Sequence, residues 1–60
     1  MLLTDLNDNV FELKAKDIKE FHTRHGLKGD FTLIATDFKL YRVKETVPEL
    51  MKLISEEKKS

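Results

Sequence analysis

Residues 31 to 43, FTLIATDFKLYRV, constrain the fold more strongly than any other stretch of the chain. They are rich in β-branched and aromatic residues, which favour extended strands. Thr36 and Asp37 interrupt the run at a point where a tight turn can form. The segment therefore predicts two antiparallel strands joined by a short loop.

Alternation along these two strands predicts which side chains are buried, because successive side chains of a strand point to opposite faces. The predicted inner face carries the odd-numbered apolar residues of both strands: Phe31, Leu33, Ala35, Tyr41 and Val43. Ile34 and Leu40 then lie on the opposite, solvent-facing side of the sheet.

Further elements are predicted at the two ends of the chain. The Asn-Asp-Asn cluster before Val10 favours a tight turn, so we expect a β-hairpin of residues 2 to 6 and 10 to 14. Residues 45 to 60 predict an α-helix, because Thr46 and Glu49 have the spacing of a capping box.

Residues 14 to 26 fit two different structures. Asp17 and Glu20 also have capping-box spacing, and Gly26 is a suitable residue to end a helix. A strand that begins near Phe21 is also compatible with these residues if a tight turn precedes it. The residue pattern alone favours a short helix.

Composition limits the functions that a chain of 60 residues can carry. We expect one domain, residues 1 to 60, whose core is too small for a buried catalytic cleft. Eleven basic and eleven acidic residues cancel, so there is no broad positive field for nucleic acid. Without cysteine, a long apolar run or a signal-peptide pattern, we expect a cytoplasmic protein that does not associate with membranes.

The stretch RHGLKGD, residues 24 to 30, is the most suggestive short motif. Its G-x-x-G has the form of the KH-domain loop that clamps a nucleic-acid backbone, but that loop requires a helix after Gly29, where a strand is predicted. We therefore expect a glycine-permitted hairpin turn. His22 and His25 have a metal-binding spacing on a helix, whereas on a strand they face opposite ways.

The sequence offers no constellation for catalysis. It has no carboxylate pair, serine with histidine, or phosphate-binding loop in a recognisable arrangement. We therefore predict that the protein is not an enzyme and has no catalytic, cofactor-binding or metal-binding residues.

A family resemblance is carried by three stretches: LTDLNDNVFEL (residues 3 to 13), DIKEF (17 to 21) and YRVKETVPELMKLI (41 to 54). Together they resemble the small flagellar FlbD-type proteins, although TRHGLKGD replaces a shorter turn of that family. The resemblance implies an accessory role in a flagellar context and supplies no catalytic residue. A phage accessory protein is compatible with the same pattern.

The layout is also similar to the seven-kilodalton DNA-binding chromatin proteins of archaea, which are SH3-like barrels with a C-terminal helix. Both resemblances imply that residues 20 to 25 form a strand rather than a helix. DNA binding is not carried over, because those proteins are strongly basic and use an exposed tryptophan, and this chain is neutral and has none.

We therefore predict a small α+β domain, an SH3-like antiparallel β-meander of four to five strands with a C-terminal helix. A homo-oligomer is one way to cover its sheet edges. The predicted core consists of Leu3, Leu6, Phe11, Leu13, Ile18, Phe21, Phe31, Leu33, Tyr41, Val43, Val47, Leu50, Met51 and Ile54.

The predicted site is the solvent face of the sheet formed by residues 20 to 25, 31 to 36 and 39 to 44. As a non-enzymatic accessory module, the protein is expected to bind a protein partner through Thr32, Ile34, Leu40 and Arg42. The alternative is a nucleic-acid-binding domain that uses His22, Arg24, Lys28 and Arg42.

Overall fold

The computed structural model describes residues 1–59 and has five strands followed by one helix. The elements are β1 (Leu2–Thr4), β2 (Val10–Glu12), a short 3-10 helix (Ala15–Asp17), β3 (Ile18–Gly26), β4 (Gly29–Thr36), β5 (Leu40–Val43) and α1 (Val47–Lys59). The predicted α+β class, with an antiparallel meander and a C-terminal helix, is confirmed.

The strands form two antiparallel sheets, β1-β2 and β3-β4-β5. A single bridge between Asp5 and Val43 joins them, and the Lys44 N–H donates to the Thr4 carbonyl at 2.8 Å. The N-terminal hairpin therefore lies alongside β5. Within residues 1–59 the strands do not close into a barrel.

Residues 18 to 26 form a strand, so the helix favoured by the residue pattern is wrong and the strand implied by both resemblances is correct. Pairing along β4 stabilises the extended form, although the local pattern alone favours a helix. The only helical turn in this region is Ala15–Asp17, where the Asp17 N–H donates to the Lys14 carbonyl at 3.0 Å.

The RHGLKGD stretch forms the hairpin turn between β3 and β4, as predicted. Gly26 lies opposite Gly29, so the loop contains only Leu27 and Lys28. Gly29 has φ +129, a backbone conformation that residues with a side chain rarely adopt. Because β4 follows, there is no helix with which a KH-type loop could work.

The predicted faces of β4 are reversed. Ile34 is 0% exposed and Thr32 is 2% exposed, so both lie in the core rather than on the solvent face. Ile34 is paired with Tyr41. The Thr36 N–H donates to the Lys39 carbonyl and closes the ladder, so the loop between them has only two residues. A two-residue loop pairs even-numbered positions on β4 with odd-numbered positions on β5, which places Ile34 on the buried side.

The core otherwise follows much of the prediction. Its fully buried members are Leu3, Leu13, Ile34, Val43 and Leu50. Around them pack seven half-buried residues: Met1, Phe11, Ile18, Phe21, Tyr41, Leu53 and Ile54.

Five members of the predicted core lie outside this cluster. Leu6, in the β1–β2 turn, is 41% exposed, and Met51, on α1, is 57% exposed. Phe31 and Leu33 are half-buried on the other side of β4, and Val47 is half-buried at the start of α1.

The α1 helix begins with the predicted cap and is attached to the hairpin near its other end. The Thr46 hydroxyl accepts the Glu49 N–H at 3.3 Å and donates to the Glu49 carboxylate at 3.2 Å. The Glu57 carboxylate accepts bonds from the Met1 α-ammonium, at 2.8 Å, and from the Ala15 N–H. These donors, the ammonium foremost, hold the pKa of Glu57 below its usual value. No helix in residues 1–59 has the length and apolar character needed to cross a membrane.

Candidate binding surface

The side of the β3-β4-β5 sheet that faces away from the core is the candidate binding surface, which we call the open face. Strand register places Arg24 opposite Phe31, and Leu33 between His22 and Arg42. Side chains directly opposite one another in antiparallel strands lie on the same face. The open face therefore comprises Glu20, His22, Arg24, Phe31, Leu33, Ala35, Leu40 and Arg42.

Apolar side chains occupy the centre of the open face. Phe31 and Leu33 are half-buried on the central strand, and Leu40, opposite Ala35 and diagonal to Leu33, is 63% exposed. The ring of Phe31 lies against Gly26, where a Cβ atom would come within 3.1 Å of the ring. The absence of a side chain at Gly26 therefore lets this ring lie close to the backbone of β3.

The open face forms part of a wide groove of about 1120 Å³ that also reaches the β1–β2 turn. Leu6 and Asn7 of that turn contribute to one wall. The Asp5 carboxylate organises the turn by accepting the N–H groups of Asn7, at 2.8 Å, and Asn9, at 2.9 Å. These backbone bonds, that of Asn9 foremost, hold the pKa of Asp5 below its usual value.

Aromatic residues of two strands form another part of the groove wall. The rings of Phe11 and Tyr41 are stacked, with centroids 5.1 Å apart and planes 14° from parallel. The ammonium of Lys39 lies 4.8 Å from the Tyr41 ring centroid, within the range of a cation–π contact. One side of the groove is thus an aromatic surface with a cation at its edge.

Two arginines on the open face have no ion-pair partner among residues 1–59. Arg24 and Arg42 flank the apolar centre, and no carboxylate of residues 1–59 is within salt-bridge distance of either. Other cations are engaged: His25 with Asp30 at 2.7 Å, Lys19 with Asp37 at 3.5 Å, and Lys44 with Asp8. The two arginines are therefore the cations of the open face that remain available to a ligand.

The structure brings some of the predicted site residues together and separates others. Four of the predicted site residues lie on the open face: His22, Arg24, Leu40 and Arg42.

The prediction that Thr32 and Ile34 lie on the open face was wrong. The Thr32 hydroxyl donates to the Glu45 carbonyl at 2.7 Å, on the buried side of the sheet. Lys28 is exposed at the tip of the β3–β4 turn.

Sequence reasoning missed Phe31 and Leu33, the apolar centre of the open face. The signal that identifies them is the length of the β4–β5 loop, because it fixes which positions of β4 share a side with Tyr41 and Val43. Alternation within β4 gives no such information.

The two histidines of β3 are separated by the strand geometry. His22 lies on the open face, whereas His25, an odd number of residues further along, turns to the other side and bonds to Asp30. Among residues 1–59, no three His, Cys, Asp or Glu side chains are grouped so that they could hold a metal ion.

The fold and the open face define a small α+β domain with an accessible, mixed apolar and cationic sheet surface. No protein-family model matches the chain, and neither the curated proteins nor the solved structures give a significant match. The resemblance to the FlbD-type family stays a prediction.

Proposed function

We propose that this protein is a non-enzymatic accessory module that binds a protein partner through its open face. The observation that carries the proposal is the apolar centre of Phe31, Leu33 and Leu40, flanked by the unpaired Arg24 and Arg42.

Apolar residues that cluster on an exposed sheet favour association, because covering them removes apolar surface from water. Arginine beside such a centre adds directed hydrogen bonds to partner carboxylates or carbonyl groups. Aromatic and arginine side chains are the types that dominate the binding energy of protein interfaces. A partner segment with apolar anchors and an acidic residue fits this pattern.

A random peptide library displayed on phage tests the proposal and does not require an identified partner. Peptides selected on the immobilised protein are expected to combine apolar and acidic residues. Leu40→Glu should abolish their binding, because it places a carboxylate in the apolar centre. Leu27→Glu is the matched control: it makes the same change at the fully exposed β3–β4 turn.

Both variants should keep the circular-dichroism spectrum and thermal midpoint of the original protein, since both positions are exposed. The proposal is wrong if no peptide is enriched, or if the enriched peptides bind the Leu40→Glu protein as well as they bind the Leu27→Glu protein.

A second candidate function is binding of single-stranded nucleic acid, and the position of Phe31 favours it. Phe31 is an aromatic residue on the open face, opposite Arg24 on the neighbouring strand. An aromatic ring that stacks a base beside cations that contact phosphates is the common arrangement for such binding. The neutral net charge of the chain argues for few phosphate contacts.

Fluorescence anisotropy with labelled 12-nucleotide DNA and RNA strands tests this second function. If Arg24 and Arg42 each neutralise one phosphate, the slope of log K against log salt is about −1.4, and affinity falls about sevenfold between 50 and 200 mM salt. Arg42→Gln should halve the slope, whereas Lys52→Gln, the same charge change on α1, should leave it unaltered. Absence of binding at 50 mM salt eliminates this function.

A further inference from the structure

The outer edge of β3 is a long strand edge with free backbone groups. β3 has nine residues and, among the strands of residues 1–59, pairs only with β4. Gly26 and Gly29 close the hairpin as a hydrogen-bonded pair, and the pairing alternates from there, so the backbone groups of Phe21, Thr23 and His25 point away from β4. Within residues 1–59 β4 is the ladder partner of β3, and no backbone hydrogen bond from outside the strand ladders reaches these three residues. Such an edge is a template for pairing with another strand.

An apolar groove runs beside this edge on the helix side of the sheet. Phe21, Met51 and Ile54 form its apolar lining, and Met51 is 57% exposed although it is a large apolar residue. Ser55, Lys58 and Lys59 complete the lining. A strand that paired with β3 would bring further residues over this groove. The edge and the groove therefore form one continuous surface with both hydrogen-bonding and apolar character.

We propose that a second copy of this chain occupies the surface, with the two β3 strands antiparallel and His22 on the two-fold axis. Phe21 then faces Thr23 of the second copy, so residues whose backbone groups point outward meet one another, as an antiparallel ladder requires. Glu20 faces Arg24 of the second copy, and the symmetry repeats this pair on the other side of the axis. The interface is self-complementary in charge.

The charge pattern selects this register among the symmetric alternatives. Moving the two-fold axis by one residue, to Phe21 or to Thr23, leaves no arginine opposite Glu20. In the chosen register, Lys19 faces His25 of the second copy. This contact is tolerated because Lys19 already pairs with Asp37, and His25 with Asp30, within each copy.

The symmetry has two structural consequences. The two-fold axis is perpendicular to the sheet, so both α1 helices lie on one side and the Met51 grooves of the two copies adjoin each other. On the other side, the two open faces merge into a six-stranded surface in which Glu20 engages Arg24 and leaves Arg42 for a ligand. The dimer and the proposed function share Arg24, which the dimer engages with Glu20. The peptide site keeps Arg42 and its apolar centre, and the backbone edge and the Met51 groove lie outside that centre, so the dimer does not depend on the proposed function.

Disulfide trapping tests the register directly, and the chain suits it because it contains no cysteine. In the proposed dimer, His22 faces its own symmetry mate as a non-hydrogen-bonded pair, with Cα atoms about 4.5 Å apart, within the range that a disulfide spans. His22→Cys should form a covalent dimer on mild oxidation. Lys28→Cys, at the exposed hairpin tip, is the control and should stay monomeric at the same concentration.

Charge exchange tests the interface independently by sedimentation equilibrium. Glu20→Arg places arginines opposite each other at two symmetric positions and should raise the dimer Kd roughly tenfold. Arg24→Glu should have the same effect, and the two changes combined should restore dimerisation. Glu56→Arg, the same charge change on α1, should have no effect.

A protein that stays monomeric at millimolar concentration overturns the proposal, as does a dimer that neither single charge reversal weakens. If the Glu20→Arg monomer still selects peptides that depend on Leu40, the proposed function stands whatever the fate of the dimer. If the dimer forms and no peptide is selected, only the proposed function fails.

Discussion

Truncation of Ile34 tests which side of β4 is buried, because the structure and the simple alternation pattern predict opposite results for this residue. Ile34 is 0% exposed and lies among the five fully buried core residues. Ile34→Ala removes about three methylene equivalents at about 0.8 kcal/mol each, and the cavity adds to that cost. We expect a total loss of about 3 kcal/mol. Leu33→Ala removes a similar volume from a half-buried position on the open face and should cost about 1 kcal/mol.

Such a loss is large for a domain of this size, since about 0.05 to 0.15 kcal/mol per residue corresponds to a total stability of roughly 3 to 9 kcal/mol. Urea unfolding followed by circular dichroism, at low micromolar concentration, measures both variants by the same transition. The Ile34→Ala midpoint should fall far below that of Leu33→Ala. If Leu33→Ala costs as much as Ile34→Ala, the assignment of the two faces is refuted.

Two further predictions concern the ends of α1. The pKa of Glu57 is lowered in the folded state, so this carboxylate stabilises the fold above its unfolded pKa, near 4.5, and the stabilisation is lost as the pH falls through the lower folded pKa. Glu57→Gln should therefore make the decline in urea midpoint between about pH 6 and pH 2 shallower, and an unaltered decline would contradict this role. Thr46→Ala should cost about 1 kcal/mol because it removes the cap that holds the Glu49 N–H, whereas Thr46→Ser should cost much less; equal losses in urea unfolding would show that the cap is unimportant.

Much of the fold could be predicted because several signals act locally. The turn at Gly26 and Gly29 and the cap at Thr46 each follow from short stretches of sequence with a defined backbone chemistry. Residues 18 to 26 could not be assigned correctly from their own pattern, because it fits both structures and favours a short helix. The strand exists because β4 supplies a partner, which is a tertiary effect.

The sequence correctly placed those site residues whose position does not depend on which side of β4 is buried. Leu40 and Arg42 belong to β5, whose inner residues Tyr41 and Val43 were identified correctly, so their outward positions followed. In β4, apolar residues occupy both alternating sets, and the burial of Ile34 depends on pairing across a two-residue loop.

The hydrogen bonds of Glu45 join the two sheets through residues that lie far apart in the sequence. Its carboxylate accepts the Thr4 N–H at 2.9 and 3.1 Å, a contact between residues 41 positions apart. The strands β3, β4 and β5 are joined by two-residue loops and can pair with little loss of chain entropy, whereas the β1 contact requires the closure of a long loop. During synthesis, β1 therefore emerges before the other strands but makes this contact only after Glu45 and β5 have been made, and until then its edge is exposed to other chains.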